Sequence, residues 1–112
     1  MMDCLFCQIA EKKIPAALLH EDEFSVAFRD LNPQAPSHIL IIPKKHVERL
    51  SVLEEADKNI AGHLLIVAQK LAKDLNLGDF RLNINNGPNA GQTVWHLHLH
   101  LLSGRNFAWP PG

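Results

Sequence analysis

The sequence predicts an α+β domain built on an antiparallel sheet, with one short and one long helix. Three observations carry this reading: a short helical pattern near the start, a single long amphipathic stripe in the middle, and strand-like runs on either side of that stripe. With 112 residues the chain is expected to be one domain, 1–112, long enough to bury a core.

The elements follow in order. Asp3 is placed to cap a helix over residues 4–12, where Leu5, Phe6, Ile9 and Ala10 recur at helical spacing before Pro15. Ala17–His20 and Phe24–Arg29 read as strands joined by the polar turn Glu21-Asp22-Glu23. Asp30 to Pro36 carries Pro33 and Pro36 and must be a loop. His38–Ile42, with its Ile-Leu-Ile-Ile run stopped by Pro43, reads as a buried strand. Ser51-Val52-Leu53-Glu54 has capping-box spacing. It precedes a long helix whose stripe is Ile60, Leu64, Val67, Ala68, Leu71 and Leu75, with Gly78 expected as its stop. Phe80–Asn85 is the next strand, 86–94 a glycine-containing loop, and Trp95–Leu102 the last strand.

Charge and cysteine usage narrow the function classes. Eleven basic residues face twelve acidic ones, a formal net charge of -1, so neither a general nucleic-acid binder nor an acidic tail is expected. No apolar run approaches the ~18 residues of a membrane span, so no membrane partner is expected. The Met1-Met2-Asp3-Cys4 start lacks the basic and apolar regions of a secretion signal. Cys4 and Cys7 are the only cysteines, and their spacing suits a metal or redox pair better than a disulfide framework. The cytoplasm is the expected location.

Seven histidines and no tyrosine stand out, and three of the seven lie in His96-Leu97-His98-Leu99-His100. A strand of period two would project all three imidazoles from one face, roughly 6.6–7 Å apart at Cα, and send Trp95, Leu97, Leu99 and Leu101 to the core. Three readings compete: a polar strand face, a catalytic metal site, or phosphate chemistry by histidine itself. The outer pair lies roughly 13 Å apart at Cα, uncomfortable for a mononuclear metal. The preceding Asn85–Thr93 loop supplies glycines, backbone N–H groups and the Gln92 and Thr93 side chains, the makings of an anion cradle. The third reading is therefore preferred.

His96-Leu97-His98-Leu99-His100-Leu101-Leu102 resembles the signature of the histidine-triad (HIT) family. Asp30 through His38, Ile42-Pro43-Lys44-Lys45-His46, Gly91-Gln92-Thr93 and the ending from Gly104-Arg105 to Trp109-Pro110-Pro111-Gly112 resemble its Hint branch. The resemblance implies a homodimer that binds purine nucleotides of the AMP or GMP kind. It implies hydrolysis of nucleoside 5′-phosphoramidates, with no cofactor needed for catalysis. His98 would be the nucleophile and form a nucleotidyl-histidine intermediate. His100 would contact the phosphate and help proton transfer, and His96 and His38 would complete the set. Asn85, Gly91, Gln92 and Thr93 would bind phosphate. Leu5, Phe6, Ile9 and Phe28 would line the purine pocket, with ordinary core as the rival reading for Phe6 and Phe28 and a turn-forming role beside Pro33 as the rival for Asp30. Asp30 would hold the ribose hydroxyls, Leu31 would touch sugar or base, and Trp109 would reach the partner's site. The family often has serine where this chain has Thr93; threonine keeps the hydroxyl.

The same resemblance implies a structural zinc on Cys4, Cys7, His46 and His96, against two small buried cysteines and a surface His46. His20 and His63 stay unassigned. Three other functions compete: a dinucleoside polyphosphate hydrolase, a nucleotide-sensing or protein-interaction module, and a zinc hydrolase using the triad as ligands. Trp95 and the Ser103-Gly104-Arg105 exit speak against the first.

Overall fold

The computed structural model describes residues 4–112. Helix α1 (Leu5–Ala10) leads into strands β1 (Leu18–Glu21), β2 (Ser25–Arg29) and β3 (Ser37–Pro43). Helix α2 (Lys58–Asp74) crosses over to β4 (Phe80–Asn83) and β5 (Leu99–Ser103). The five strands form one antiparallel sheet in the order β1-β2-β3-β5-β4. Among the described residues no helix is long and apolar enough to cross a membrane.

The two faces of the sheet bury different residues, as a period of two demands. Ile39 and Ile41 of β3 and Leu99 and Leu101 of β5 pack with Leu64, Val67, Ala68 and Leu71 of α2. Leu40 and Ile42 point the other way and join Val26, Phe28, Phe6 and Ile9 beneath α1. The Ile-Leu-Ile-Ile run is thus apolar on both faces because both are covered. His38 and His100 share the parity of Leu40, so they fall on the α1 face.

The helix ends differ from the expected ones. Asp3 lies outside the described residues; Cys4 is the N-cap of α1, its Sγ accepting from the Cys7 amide at 3.2 Å. The capping box sits at Glu54 and Asp57, three residues beyond Ser51. Ser51 is held in a 3-10 turn (Leu50–Val52), where its amide bonds Asn86 Oδ1. The stop of α2 is Asn76, not Gly78. Asn76 adopts φ 54°, its amide bonds Lys73 O, and the Leu77 amide bonds Ala72 O, which is a Schellman closure.

The last strand is also shorter than expected. The ladder begins at Leu99, and residues 95–98 run outside it. Two bonds take them out of register: the Leu97 amide bonds Val47 O at 2.6 Å, and His98 Nδ1 bonds His96 O at 2.6 Å. Trp95 consequently lies 43% exposed instead of in the core, while Leu97 remains buried.

Candidate active site

A cavity of about 640 Å³ opens on the α1 face of the sheet. Its apolar lining is made by Leu5, Phe6 and Ile9 of α1 with Phe28 and Leu40. Beside it lie Asp30, His38, His98 and His100, with Gly91 and Thr93 of the glycine loop. Leu31 lies on its rim, highly exposed.

The nitrogens of four imidazoles can be assigned from their partners, because a carbonyl only accepts and an amide only donates. His98 Nδ1 lies 2.6 Å from the His96 carbonyl, so Nδ1 carries the proton and Nε2 keeps its lone pair. His38 Nδ1 accepts from the Gln34 amide at 3.0 Å, so Nε2 carries the proton and donates to His100 Nδ1 at 2.8 Å. His100 must then present Nε2–H, and that atom is buried without a partner among the described residues. Asp30 Oδ2 sits 3.5 Å from His38 Nε2. One ring thus offers a nucleophilic lone pair and its neighbour, 4.9 Å away between centroids, an unsatisfied N–H donor.

Burial keeps these rings neutral. It lowers the pKa of His98 and His38 below the ordinary imidazole value. Burial, with the charges of His98 and His38, brings His100 down to about 4. An unprotonated imidazole near neutral pH is what nucleophilic attack requires.

His96 belongs elsewhere. It is fully buried, its Nε2–H donates to Pro43 O at 2.8 Å, and burial lowers its pKa to about 4. The tautomer leaves Nδ1 as an acceptor facing Cys4 Sγ at 3.2 Å, Cys7 Sγ at 3.4 Å and His46 Nδ1 at 3.3 Å. Cys7 Sγ is 3.2 Å from His46 Nδ1, and all four ligand atoms lie within 4.8 Å of one another. Burial and the neighbouring Cys4 push the Cys7 thiol up to about 12, so without a cation it stays protonated.

Of the residues expected to hold substrate, Leu5, Phe6, Ile9, Phe28, Asp30, Leu31, Gly91 and Thr93 line the cavity. Gln92 does not. It is 3% exposed; its Oε1 accepts from the Gly87 amide, and its Nε2 donates to the carbonyls of Glu48 and Val94. Its amide braces the glycine loop from within, because a buried amide must satisfy both ends. Asn85 stands behind Gly91, where its Oδ1 accepts from Asn83, and Trp109 is 82% exposed. Sequence reasoning missed the wall formed by Ile14, Pro15, Ala16 and Ala17; in the sequence Pro15 reads only as the helix stop and Ala17 as the start of a strand, which begins instead at Leu18. Leu40 was findable, since it alternates with His38 along one strand.

His20 and His63 both donate Nε2–H to Asp22 Oδ2, at 2.6 and 2.7 Å. They tie β1 and the β1–β2 turn to α2.

The HIT domain profile matches residues 11–107. A HIT-like protein of Synechocystis is 54% identical over 98% of this chain and 97% of its own length. A HIT family hydrolase from Legionella pneumophila superposes with a TM-score of 0.95 at 47% identity, over 98% of this chain and 100% of that one. A histidine triad protein from Clostridium difficile gives 0.93 at 42% identity, over 96% of each chain.

Proposed function

The chain belongs to the HIT domain family, and from that premise we propose that it is a hydrolase of nucleoside 5′-phosphoramidates with His98 as nucleophile. The observation that carries the reading is the tautomer pair: His98 with a free Nε2 lone pair beside His100 with an orphaned Nε2–H. His98 Nε2 attacks phosphorus, and the P–N bond breaks as the amine leaves. A proton must reach that amine; water supplies it, and the neutral His100 Nε2–H is placed to donate a hydrogen bond to the departing group or the phosphate oxygens. The His98–phosphorus bond is then cleaved by water, returning the imidazole. Gly91 and Thr93 meet the phosphate at the loop end of the cavity.

The apolar lining suits a flat purine, and the Asp30 carboxylate suits the paired hydroxyls of ribose. The Legionella relative is described as a HIT family hydrolase, which supports the hydrolase part of the reading.

Zinc fits the second histidine cluster. A tetrahedral ion with ordinary Zn–N and Zn–S bonds has N–N edges of about 3.3 Å and S–N edges of about 3.5 Å. The observed separations are 3.3 Å between the two Nδ1 atoms and 3.2–3.4 Å from sulfur to nitrogen. Cys4, Cys7, His46 and His96 would hold it. The bound ion would keep both sulfurs as thiolates and leave no open position for substrate, a structural role.

A cytoplasmic homodimer completes the reading. Strand β4 is a sheet edge, Phe80 upon it is exposed, and so are Leu65 and Ile66 of α2. An apolar edge of this kind gains from a second copy. Light scattering should give twice the chain mass; a monomer would remove the dimer.

The decisive experiment is mass spectrometry after rapid quenching with adenosine 5′-monophosphoramidate. An adenylyl adduct on His98 is expected. His98→Ala should lose turnover by at least about a thousandfold, as removal of a nucleophile does, while retaining AMP binding. Wild-type turnover in that variant would overturn the mechanism.

A further inference from the structure

We propose that Cys4 and Cys7 form an oxidant-responsive thiol pair whose conversion to a disulfide loosens the nucleotide cavity. The inference rests on the cavity being a nucleotide site, and adds a modification site that controls it. Cys4 is partly exposed and Cys7 buried, and both Sγ atoms lie within 3.4 Å of the same His96 Nδ1. A C-x-x-C pair across the first turn of a helix has the spacing that thiol–disulfide enzymes use.

The chemistry balances with a hydroperoxide as oxidant. The Cys4 sulfur attacks the O–O bond, giving a sulfenic acid and an alcohol, or water from hydrogen peroxide. The Cys7 sulfur then displaces water from the Cys4 sulfenic acid and forms the S–S bond. Two thiols lose two electrons in total, and one O–O bond is reduced. Thiolates held by zinc follow the same course with two protons taken from water. A zinc ion held there would be left with His46 and His96 alone, so the pair's oxidation would release it.

Two connections carry the event to the cavity. The first is α1 itself, a helix of six residues whose N-cap acceptor is Cys4 Sγ. Phe6 lies between the two cysteines. Its ring meets His98 edge-on at 5.1 Å and Phe28 at 5.5 Å, and with Ile9 it makes the cavity wall. An S–S bond of about 2 Å pulls the two sulfurs together across the first turn that carries Phe6 and removes the S–H donors that face His96 Nδ1. The second is His96, whose side chain faces the sulfurs while its carbonyl holds His98 Nδ1. Freeing the ring from the sulfurs leaves it held by the Pro43 carbonyl and the His46 contact.

The test treats the full-length, zinc-loaded protein with stoichiometric hydrogen peroxide. It reads intact mass, zinc release by a chromogenic chelator, and AMP affinity by calorimetry. The proposal expects loss of two hydrogens and release of zinc. It expects a rise in the Kd for AMP of about tenfold or more, the scale seen when outer-shell partners are disturbed. Dithiothreitol with added zinc should reverse all three. Cys4→Ser and Cys7→Ser, compared with their own untreated forms, should keep their AMP affinity after peroxide. A disulfide that leaves Kd unchanged overturns the coupling, and so does an equal loss in the serine variants. Sulfinic acid at Cys4 without a disulfide overturns the pairing. Reduced protein that binds no AMP overturns the nucleotide reading of the cavity, and the coupling with it; binding in the reduced state separates the two failures.

Discussion

Asp22→Ala should unfold the protein at a much lower temperature while sparing its site. The Asp22 carboxylate accepts from His20 Nε2 at 2.6 Å, His63 Nε2 at 2.7 Å, and the Phe24 and Ser25 amides at 2.8 Å each. The amide bonds close the turn, and the histidine bonds join it to α2. Hydrogen bonds to a charged group contribute about 1.5–3 kcal/mol each and neutral ones about 1. The side chain is 26% exposed, so the sum is discounted for solvent. About 3 kcal/mol remains, which lowers Tm by about 12 °C for a domain of this size. The penalty must also depend on pH. Burial raises the Asp22 pKa, but bonds from His20, the Phe24 amide, His63 and Ser25 outweigh it and hold the carboxyl well below the usual range. A carboxylate depressed in the folded state stabilises fully above its unfolded pKa of about 4, and that stability is lost as pH falls through the folded value. The gap between wild type and variant should therefore be full at neutral pH and shrink in strong acid. Thermal unfolding by circular dichroism reads both. A Tm loss under about 4 °C, equivalent to about 1 kcal/mol, would show that the two histidines do not anchor the turn.

Other outcomes follow from the buried imidazoles and the loops. In the metal-free protein, stability should fall as pH drops from about 6.5 towards 4, since His96 and His100 stay neutral when folded while the unfolded chain takes up protons; flat urea midpoints across that window would refute it. The acid limb of kcat/KM should lie below pH 6.5, because burial lowers the His98 pKa and only the unprotonated ring attacks. Gln92→Ala strips three hydrogen bonds from the glycine loop and should cost about 3 kcal/mol, measured by denaturant unfolding. Gly104→Ala places a Cβ 2.8 Å from Pro36 at φ +96°, and should cost about 2 kcal/mol or more by the same measurement.

Alternation made the sheet legible. Ile39 and Ile41 against His38 and Leu40 follow from period two alone, and so does the long stripe of α2. The end of α2 was less legible because Asn76 can adopt the left-handed conformation that Gly78 advertised more loudly. The histidine segment misled in one respect. It reads as a single strand, yet His96 and His98 lie before the ladder, since a side chain bonding its own backbone two residues back competes with pairing. Gln92 misled for a related reason: a donor in a glycine loop looks the same whether it faces substrate or the loop's own carbonyls. The wall at Ile14–Ala17 carries no polar signature, so only the packing of the chain exposed it.

The departure from strand geometry separates three like residues into three tasks. In an ideal strand His96, His98 and His100 would stand in one row, with their tautomers set by whatever lay opposite. Here each ring nitrogen is fixed by a different group. Pro43 O takes the His96 Nε2 proton and turns Nδ1 towards sulfur. The His96 carbonyl takes the His98 Nδ1 proton and frees Nε2. The Gln34 amide, acting through His38, makes His100 Nδ1 an acceptor and Nε2 a donor. Two of these three partners are backbone carbonyls, which side-chain substitution cannot readily remove, while the third reaches His100 through the His38 side chain and is lost with it. The division of labour is therefore set by how the chain runs past Pro43, His96 and Gln34. Substitutions that shift those peptides should change activity even where every histidine is kept.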